Sequence, residues 1–522
     1  MSSYQDLFEQ AERAREEYDF ETALSLYTQG IQVINRVPET PETRGAKLRA
    51  LTMVGEILWM KGATQKAVDI YLSALKIAED ADDKPCIITI ALDLGNLYQV
   101  MNNTKMAVVY LERAMELSRE SGDPVSFGRA LYLSGIVSGK EGEKDRAEEL
   151  LAAAEESLAG VAGDIAALNV LAGVAIQRGL SSFRRGEYDD AIRHYVGALN
   201  ICSATSSSLE KGEAYRYLGV IHSIKRNYIE TLRNHGQALK IFKTAGYVFG
   251  MAKVYSSIGQ TYLGIEDLDR AIYFLKKAAK LYVELKSNSD LAAIYSKLGD
   301  VYRLMKKYDL AIKYYLKDLK ISREMENQHG LAYTYMNLGT VYRLMNETAQ
   351  AHTYLSRSIE LFEKFDDQRN IASVYYELAL AYIEASDFEQ GKDFADLSME
   401  LFEKTGRKVG AANVGVLYGM MCKGLGHWDE AAAYFEKSIV ELQEINATQD
   451  VIAGCYEMGR MYVEKGDQAQ ALSFFRKAYQ LAANVDIESL MGKCLDEIEQ
   501  IDEGEVIEIS IERMEKSGVP QG

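Results

Sequence analysis

The chain has 522 residues, 48% hydrophobic and 26% charged, with a net charge of −18. That acidic balance argues against bulk binding to nucleic acid or anionic lipid. No unbroken apolar run reaches the length of a bilayer, so no membrane helix is expected.

The opening stretch, MSSYQDLFEQAERAREEYDF, is polar and acidic and lacks a signal-peptide apolar core, so the cytoplasm is the expected location. From there small residues mark a register. Ala11, Gly55, Gly95, Gly135, Gly179, Gly219, Gly259, Gly299, Gly339, Ala379, Gly419 and Gly459 recur every 40 residues, with two steps of 44 after residues 11 and 135. Twelve residues after each marker stands Ala23, Ala67, Ala107, Ala147, Ala191, Thr231, Ala271, Ala311, Ala351, Gly391, Ala431 or Ala471. A third small residue follows seven later, as at Ala74, Ala114, Ala154, Ala198, Ala238, Ala278 and Ala478, but Asp318 breaks that series.

Glycine inside a helix costs roughly 1 kcal/mol relative to alanine, so a recurring helical glycine implies close packing of a neighbour. Apolar residues around the markers follow helical spacing on two faces, as in Ile294, Leu298, Val301, Tyr302 and Leu304. Only five prolines occur, which suits long helices. Twelve helix–turn–helix units are therefore expected over about residues 1–484. The Ala- and Gly-rich LAGVAGDIAALNV after residue 157 suggests a break, giving 1–160 (units 1–4) and 161–484 (units 5–12). Residues 485–502 read as a closing helix and 503–522 as an acidic tail. In the tail Ile507, Ile509 and Ile511 alternate with polar residues, which is strand-like; a loose tail or helix end is the other reading.

Charge is uneven. Residues 211–320 hold 20 Lys and Arg against 10 Asp and Glu, which leaves −28 for the rest. This basic middle is either a solvated helix surface or a patch for an acidic partner. Five scattered cysteines without a CxxC read as reduced and mostly buried. The Gly-Lys in SGIVSGKEGE (134–143) lacks a phosphate-loop frame, and the six histidines form no HExxH or Cys/His cluster. No catalytic, metal or cofactor site is expected; His222 and His235 read as packed side chains.

The unit resembles the tetratricopeptide repeat. Leu298-Gly299, Tyr302, Ala311 and Tyr315 match its pattern, as do Leu338-Gly339, Tyr342, Ala351 and Leu355. The longer period and the missing proline after the second helix are similar to the long-repeat proteins: kinesin light chains, Leu-Gly-Asn-repeat G-protein modulators, and the sensor domains of bacterial maltose-type and peptide-sensing regulators. LDLGNLYQVMNN (92–103) carries the Leu-Gly-Asn signature.

The resemblance implies an all-α, right-handed α-solenoid whose first helices line a concave face. It places Trp59, Asn96, Gln99, Arg216, Gln260, Asp300, Arg303, Tyr333, Met336, Thr340, Arg343, Tyr376, Lys423, Tyr456 and Arg460 on that face. Arg216, Arg303 and Arg343 would form a ladder for carboxylates, or would pair with the chain's own acids. Tyr262, Tyr302, Tyr342, Tyr382 and Tyr462 read as interhelix packing residues, and Trp428 as a structural turn residue. The expected function is a non-enzymatic scaffold holding a partner protein in the groove. The alternative is a peptide- or ligand-sensing regulatory subunit acting on a separate effector. Nucleic-acid binding through the tyrosine-rich basic middle is a third reading, disfavoured by the net charge.

Overall fold

The computed structural model describes residues 3–161, 163–203, 208–485, 487–502, 505–506 and 509. Among them every regular element is helical, in twelve pairs and a closing helix. Repeats 1 to 4 are α1 (Tyr4–Glu16) with α2 (Phe20–Ile34), α3 (Pro41–Met60) with α4 (Thr64–Asp80), α5 (Lys84–Val100) with α6 (Thr104–Ser121), and α7 (Pro124–Glu141) with α8 (Lys144–Leu158). Repeats 5 to 8 are α9 (Ile165–Arg184) with α10 (Tyr188–Ser203), α11 (Ser208–Ile224) with α12 (Tyr228–Thr244), α13 (Val248–Gly264) with α14 (Leu268–Glu284), and α15 (Asn288–Leu304) with α16 (Tyr308–Glu324). Repeats 9 to 12 are α17 (Gln328–Leu344) with α18 (Thr348–Glu363), α19 (Gln368–Glu384) with α20 (Phe388–Lys404), α21 (Lys408–Gly424) with α22 (Trp428–Glu444), and α23 (Thr448–Lys465) with α24 (Gln468–Asn484); α25 (Glu488–Ile501) closes the series.

The marker glycines explain the pairing. Each is covered by the side chain sixteen residues on: Tyr71 over Gly55, Tyr195 over Gly179, Tyr315 over Gly299, Phe475 over Gly459. A Cβ at Gly299 would lie 2.4 Å from the Tyr315 ring, so nothing larger than hydrogen fits without moving the second helix. In six repeats, Tyr98 on Tyr110 among them, a tyrosine three residues after the marker stacks on a ring of the second helix. Tyr262 lies on Phe274, Tyr302 on Tyr314, Tyr342 on Tyr354, Tyr382 on Phe394 and Tyr462 on Phe474, at 5.2–5.7 Å between centroids.

The turn inside each repeat has one geometry. The residue seven after the marker is left-handed in all twelve repeats, with φ from +55° to +88°. Its successor's N–H bonds back to the carbonyl five residues earlier, as from Lys307 to Tyr302 at 2.9 Å, closing a Schellman turn. The same successor caps the second helix through its side chain where it is Asp19, Asn103, Asn227, Asp267, Asp387 or Asp467.

The chain parts into two compact units, residues 1–294 and 295–522. This divide falls inside α15, away from residue 160. Packing runs on across the 159–164 connection, where Leu131, Leu151 and Leu158 share one apolar cluster with Ala167, Val170 and Val174. One described helix, α9, is long and apolar enough to cross a membrane by length and composition, with a mean hydropathy of 1.2. A buried core helix meets the same two criteria. Asn169, Gln177 and Arg178 interrupt its apolar sequence. Ala167, Val170 and Val174 are buried in that cluster and Ile176 packs against Ala191 and Tyr195, while Ile165 is exposed.

At the C-terminal end Met491, Cys494 and Ile498 of α25 cover the last pair, and Ile509 joins the same cluster at 3% exposure. Glu505, Val506 and Ile509 are helical, and Arg476 and Glu505 form an ion pair. The strand-like alternation is thus not seen at Ile509; Ile507 and Ile511 lie outside the described residues. All five cysteines are free, and Cys202, Cys455 and Cys494 are buried.

Candidate partner-binding face

The first helices of successive repeats touch one another directly: α3 with α5, α5 with α7, α7 with α9, α9 with α11 and α11 with α13 in the first unit, and α17 with α19, α19 with α21 and α21 with α23 in the second. Second helices make no comparable contact. Each unit therefore curves with its first helices on the inside.

In the second unit, side chains bridge these inner helices. Arg343 on α17, 9% exposed, grips Glu377 at 3.0 Å and Glu384 at 2.7 Å on α19. Lys423 on α21 repeats the arrangement two repeats later, 3.1 Å from Glu464 and 3.8 Å from Glu457 on α23. In both, the cation stands four after its marker, and the acids stand two before and five after the next one. Amides and hydroxyls fill other rungs. Asn370 donates to the Tyr333 hydroxyl at 2.8 Å, Asn413 to Asp450 at 2.6 Å, and Tyr456 to Glu497 at 2.6 Å. Burial raises the Glu384 carboxyl above its ordinary range, against the pull of Arg343.

Arg303 stands at the clamp position of repeat 8, but the acid positions in repeat 9 hold Asn337 and Leu344. Its neighbour Asp300 accepts from the Tyr315 hydroxyl at 2.6 Å, and burial raises that carboxyl. Met336, Thr340 and Tyr376 are half-buried on the same face. Arg460 is exposed and lies 3.5 Å from Glu457.

In the first unit, Arg216 is 8% exposed, pairs with Glu213 at 2.6 Å, and lies 3.9 Å over the Tyr217 ring. Gln99 donates to Asn96 at 3.0 Å. Gln260 is exposed. Trp59 packs against Tyr247 with centroids 5.7 Å apart. The arginines of the expected ladder therefore fall in both units, and Arg216 and Arg343 already engage the chain's own carboxylates. Glu377, Glu384, Glu457 and Glu464 were missed from sequence. The signal that could have found them is the repeat of a cation at one register position with paired glutamates 34 and 41 residues later.

The basic middle is largely an outer-helix feature. Lys240 and Lys243 on α12, Lys276 and Lys280 on α14, and Lys313, Lys317 and Lys320 on α16 are exposed on second helices. Among the described residues no three His, Cys, Asp or Glu side chains are grouped to hold a metal ion.

Comparison with known proteins agrees with this architecture. Profiles described as tetratricopeptide repeat match residues 46–120, 290–364 and 452–485. The chain is built of tetratricopeptide repeats. A profile described as soluble NSF attachment protein, SNAP, matches residues 182–317. No curated protein matches the chain. Among solved structures, apo RapI is similar with a TM-score of 0.57 at 16% identity, covering 69% of this chain and 98% of RapI. The apo quorum sensor NprR from B. thuringiensis gives 0.54 at 16%, covering 70% and 99%. A Rap protein complexed with competence and sporulation factor gives 0.51 at 12%, covering 69% and 99%. At these identities the likeness is one of fold: helical pairs stacked as tetratricopeptide repeats.

Proposed function

We propose that the chain is a non-catalytic interaction scaffold whose inner helix face, in the second compact unit, holds a segment of another protein. The cross-repeat lattice of Arg343, Lys423, Asn370, Asn413 and Tyr456 carries this reading. It holds successive inner helices in register without a ligand, and a preformed face loses little ordering entropy on binding. Met336, Tyr376 and Arg460 are the contacts such a segment would meet, with Arg303 its anchor for a carboxylate. An acidic partner region would instead meet the outer lysines of 211–320. A membrane or nucleic acid is not the partner in this reading. Residence in a reducing cytoplasm belongs to it too, supported by the free cysteines.

A second reading is a peptide-sensing subunit that acts on a separate effector. The likeness of fold to the quorum sensor NprR and to a Rap protein in complex with competence and sporulation factor favours it.

The test is affinity capture from native lysate with the intact chain beside a Met336→Asp/Tyr376→Ala/Arg460→Glu variant of matched thermal stability. A protein held by the first and lost from the second supports the inner face. An unchanged set of captured proteins removes it.

A further inference from the structure

Among the described residues eight glycines have a positive φ. Six of them, Gly122, Gly142, Gly186, Gly406, Gly426 and Gly466, have open space where a Cβ would stand. The other two are pressed by a side chain from a distant repeat. A Cβ on Gly62, in the turn of repeat 2, would lie 1.9 Å from Leu285 Cδ2, at the end of repeat 7. A Cβ on Gly246, between repeats 6 and 7, would lie 2.8 Å from the ring of Phe20 in repeat 1. Between these two contacts Trp59 of repeat 2 meets Tyr247. Leu285 is half-buried, whereas Met325 and Phe365, at the same register position in the next two repeats, are 43% and 47% exposed.

We propose that the first compact unit is a ring, closed by an apolar seam between repeats 1–2 and repeats 6–7, and that this seam is a gate to the inner helix face of that unit. The seam joins parts of the chain that share no repeat boundary, so it can part without breaking any helix pair or any contact between adjacent repeats. A few apolar side chains meeting at turns make a contact far smaller than one repeat interface, and elements with few buried contacts open first. The face it guards is charged. Arg129 pairs with Asp93 at 2.7 Å and Arg216 with Glu213, while the Lys253 ammonium lies 4.3 Å over the Phe249 ring and that of Lys140 donates to the Gln99 carbonyl at 2.6 Å. Lys253 is half-buried on this face, whereas Lys140 is exposed. The occupant suited to that space is a polar polypeptide segment of mixed charge, not an apolar ligand. The inference is independent of the role proposed for residues 295–502.

The ideal Cβ of Gly62 stands 4.0 Å from Leu285 Cβ, within disulfide range. A Gly62→Cys/Leu285→Cys chain should therefore crosslink on mild oxidation. Lysine acylation, read by mass spectrometry, then compares the oxidised and reduced forms of the full chain. Lys253 should react severalfold more slowly when locked, with exposed Lys240 unchanged as control. A folded variant that fails to crosslink overturns the seam, and equal acylation of Lys253 in both forms overturns the gate. A second measurement needs no cysteine. Trp59 and Trp428 are the only tryptophans, so a Trp428→Phe background makes Trp59 the sole reporter. There Gly62→Asn should raise acrylamide quenching of Trp59, while Gly186→Asn, at the same φ of +80° but unpressed, should not. Asparagine already occupies this turn position at Asn102 and Asn346, so backbone strain is matched. Equal quenching in the two variants also overturns the seam.

Discussion

The Thr334 hydroxyl donates to the buried carboxylate of Asp318 across 2.7 Å, from α17 to α16, and Ser322 donates to its other oxygen at 3.0 Å. Asp318 is 5% exposed and stands where most other repeats carry alanine. Two hydroxyl donors lower the cost of burying the carboxylate but do not cancel it, and burial raises the group above its ordinary range.

A raised carboxyl binds its proton more tightly in the folded chain. That contribution to stability is full below the unfolded value near 4 and is lost as pH rises through the folded value. Asp318→Asn should therefore gain on the parent as pH rises from 4 to 7, by about 1 kcal/mol at neutrality. Hydrogen exchange of α16 and α17 at the two pH values measures it; a constant difference would refute the assignment.

His235 has the opposite sign. It is fully buried over Gly219, neither ring nitrogen has a hydrogen-bond partner, and burial with the nearby Arg216 charge drives it down to about 3. Its stabilising neutral form is fully present above the unfolded value near 6.5 and is lost as pH falls from there toward the folded value. Between pH 6.5 and 5 the parent should lose about 2 kcal/mol at this site, at about 1.4 kcal/mol per pH unit. His235→Leu, matching Leu275 and Leu355 at the same register position, should abolish that slope and raise stability at neutral pH. Urea melts of the two chains at each pH decide it.

Arg343→Ala should cost about 3 kcal/mol in local stability of α17 and α19, because it leaves Glu377 and Glu384 partly buried without their cation. Lys423→Ala should show the same pattern on α21 and α23. Arg460→Ala, which removes an exposed arginine while Lys423 still faces Glu457, should cost under about 1 kcal/mol. Exchange rates that fail to separate Arg343 from Arg460 would contradict the clamp.

Lys306 and Glu266 hold left-handed turn positions, with φ of +57° and +61°, where other repeats use glycine. Lys306→Gly and Glu266→Gly should each stabilise the chain by roughly 0.5–1 kcal/mol. Lys307→Gly, one residue on, should not. Differential scanning calorimetry of the three variants gives the ordering.

The register was legible in the chain itself. A helical glycine is unfavourable unless something packs on it, so Gly299 and its counterparts by themselves call for a second helix, and Tyr302 and Tyr342 mark where rings stack upon it. Asp318 was legible as an exception, though not its partners, because Thr334 reaches it from the next repeat. The Arg343 clamp needed the tertiary structure: its glutamates are ordinary solvated residues in sequence and become partners only when adjacent inner helices lie side by side. The contact of Trp59 with Tyr247 needed it still more. Local periodicity sets each repeat, whereas small rotations between repeats add up over five of them to bring two distant turns together, and no single residue encodes that sum.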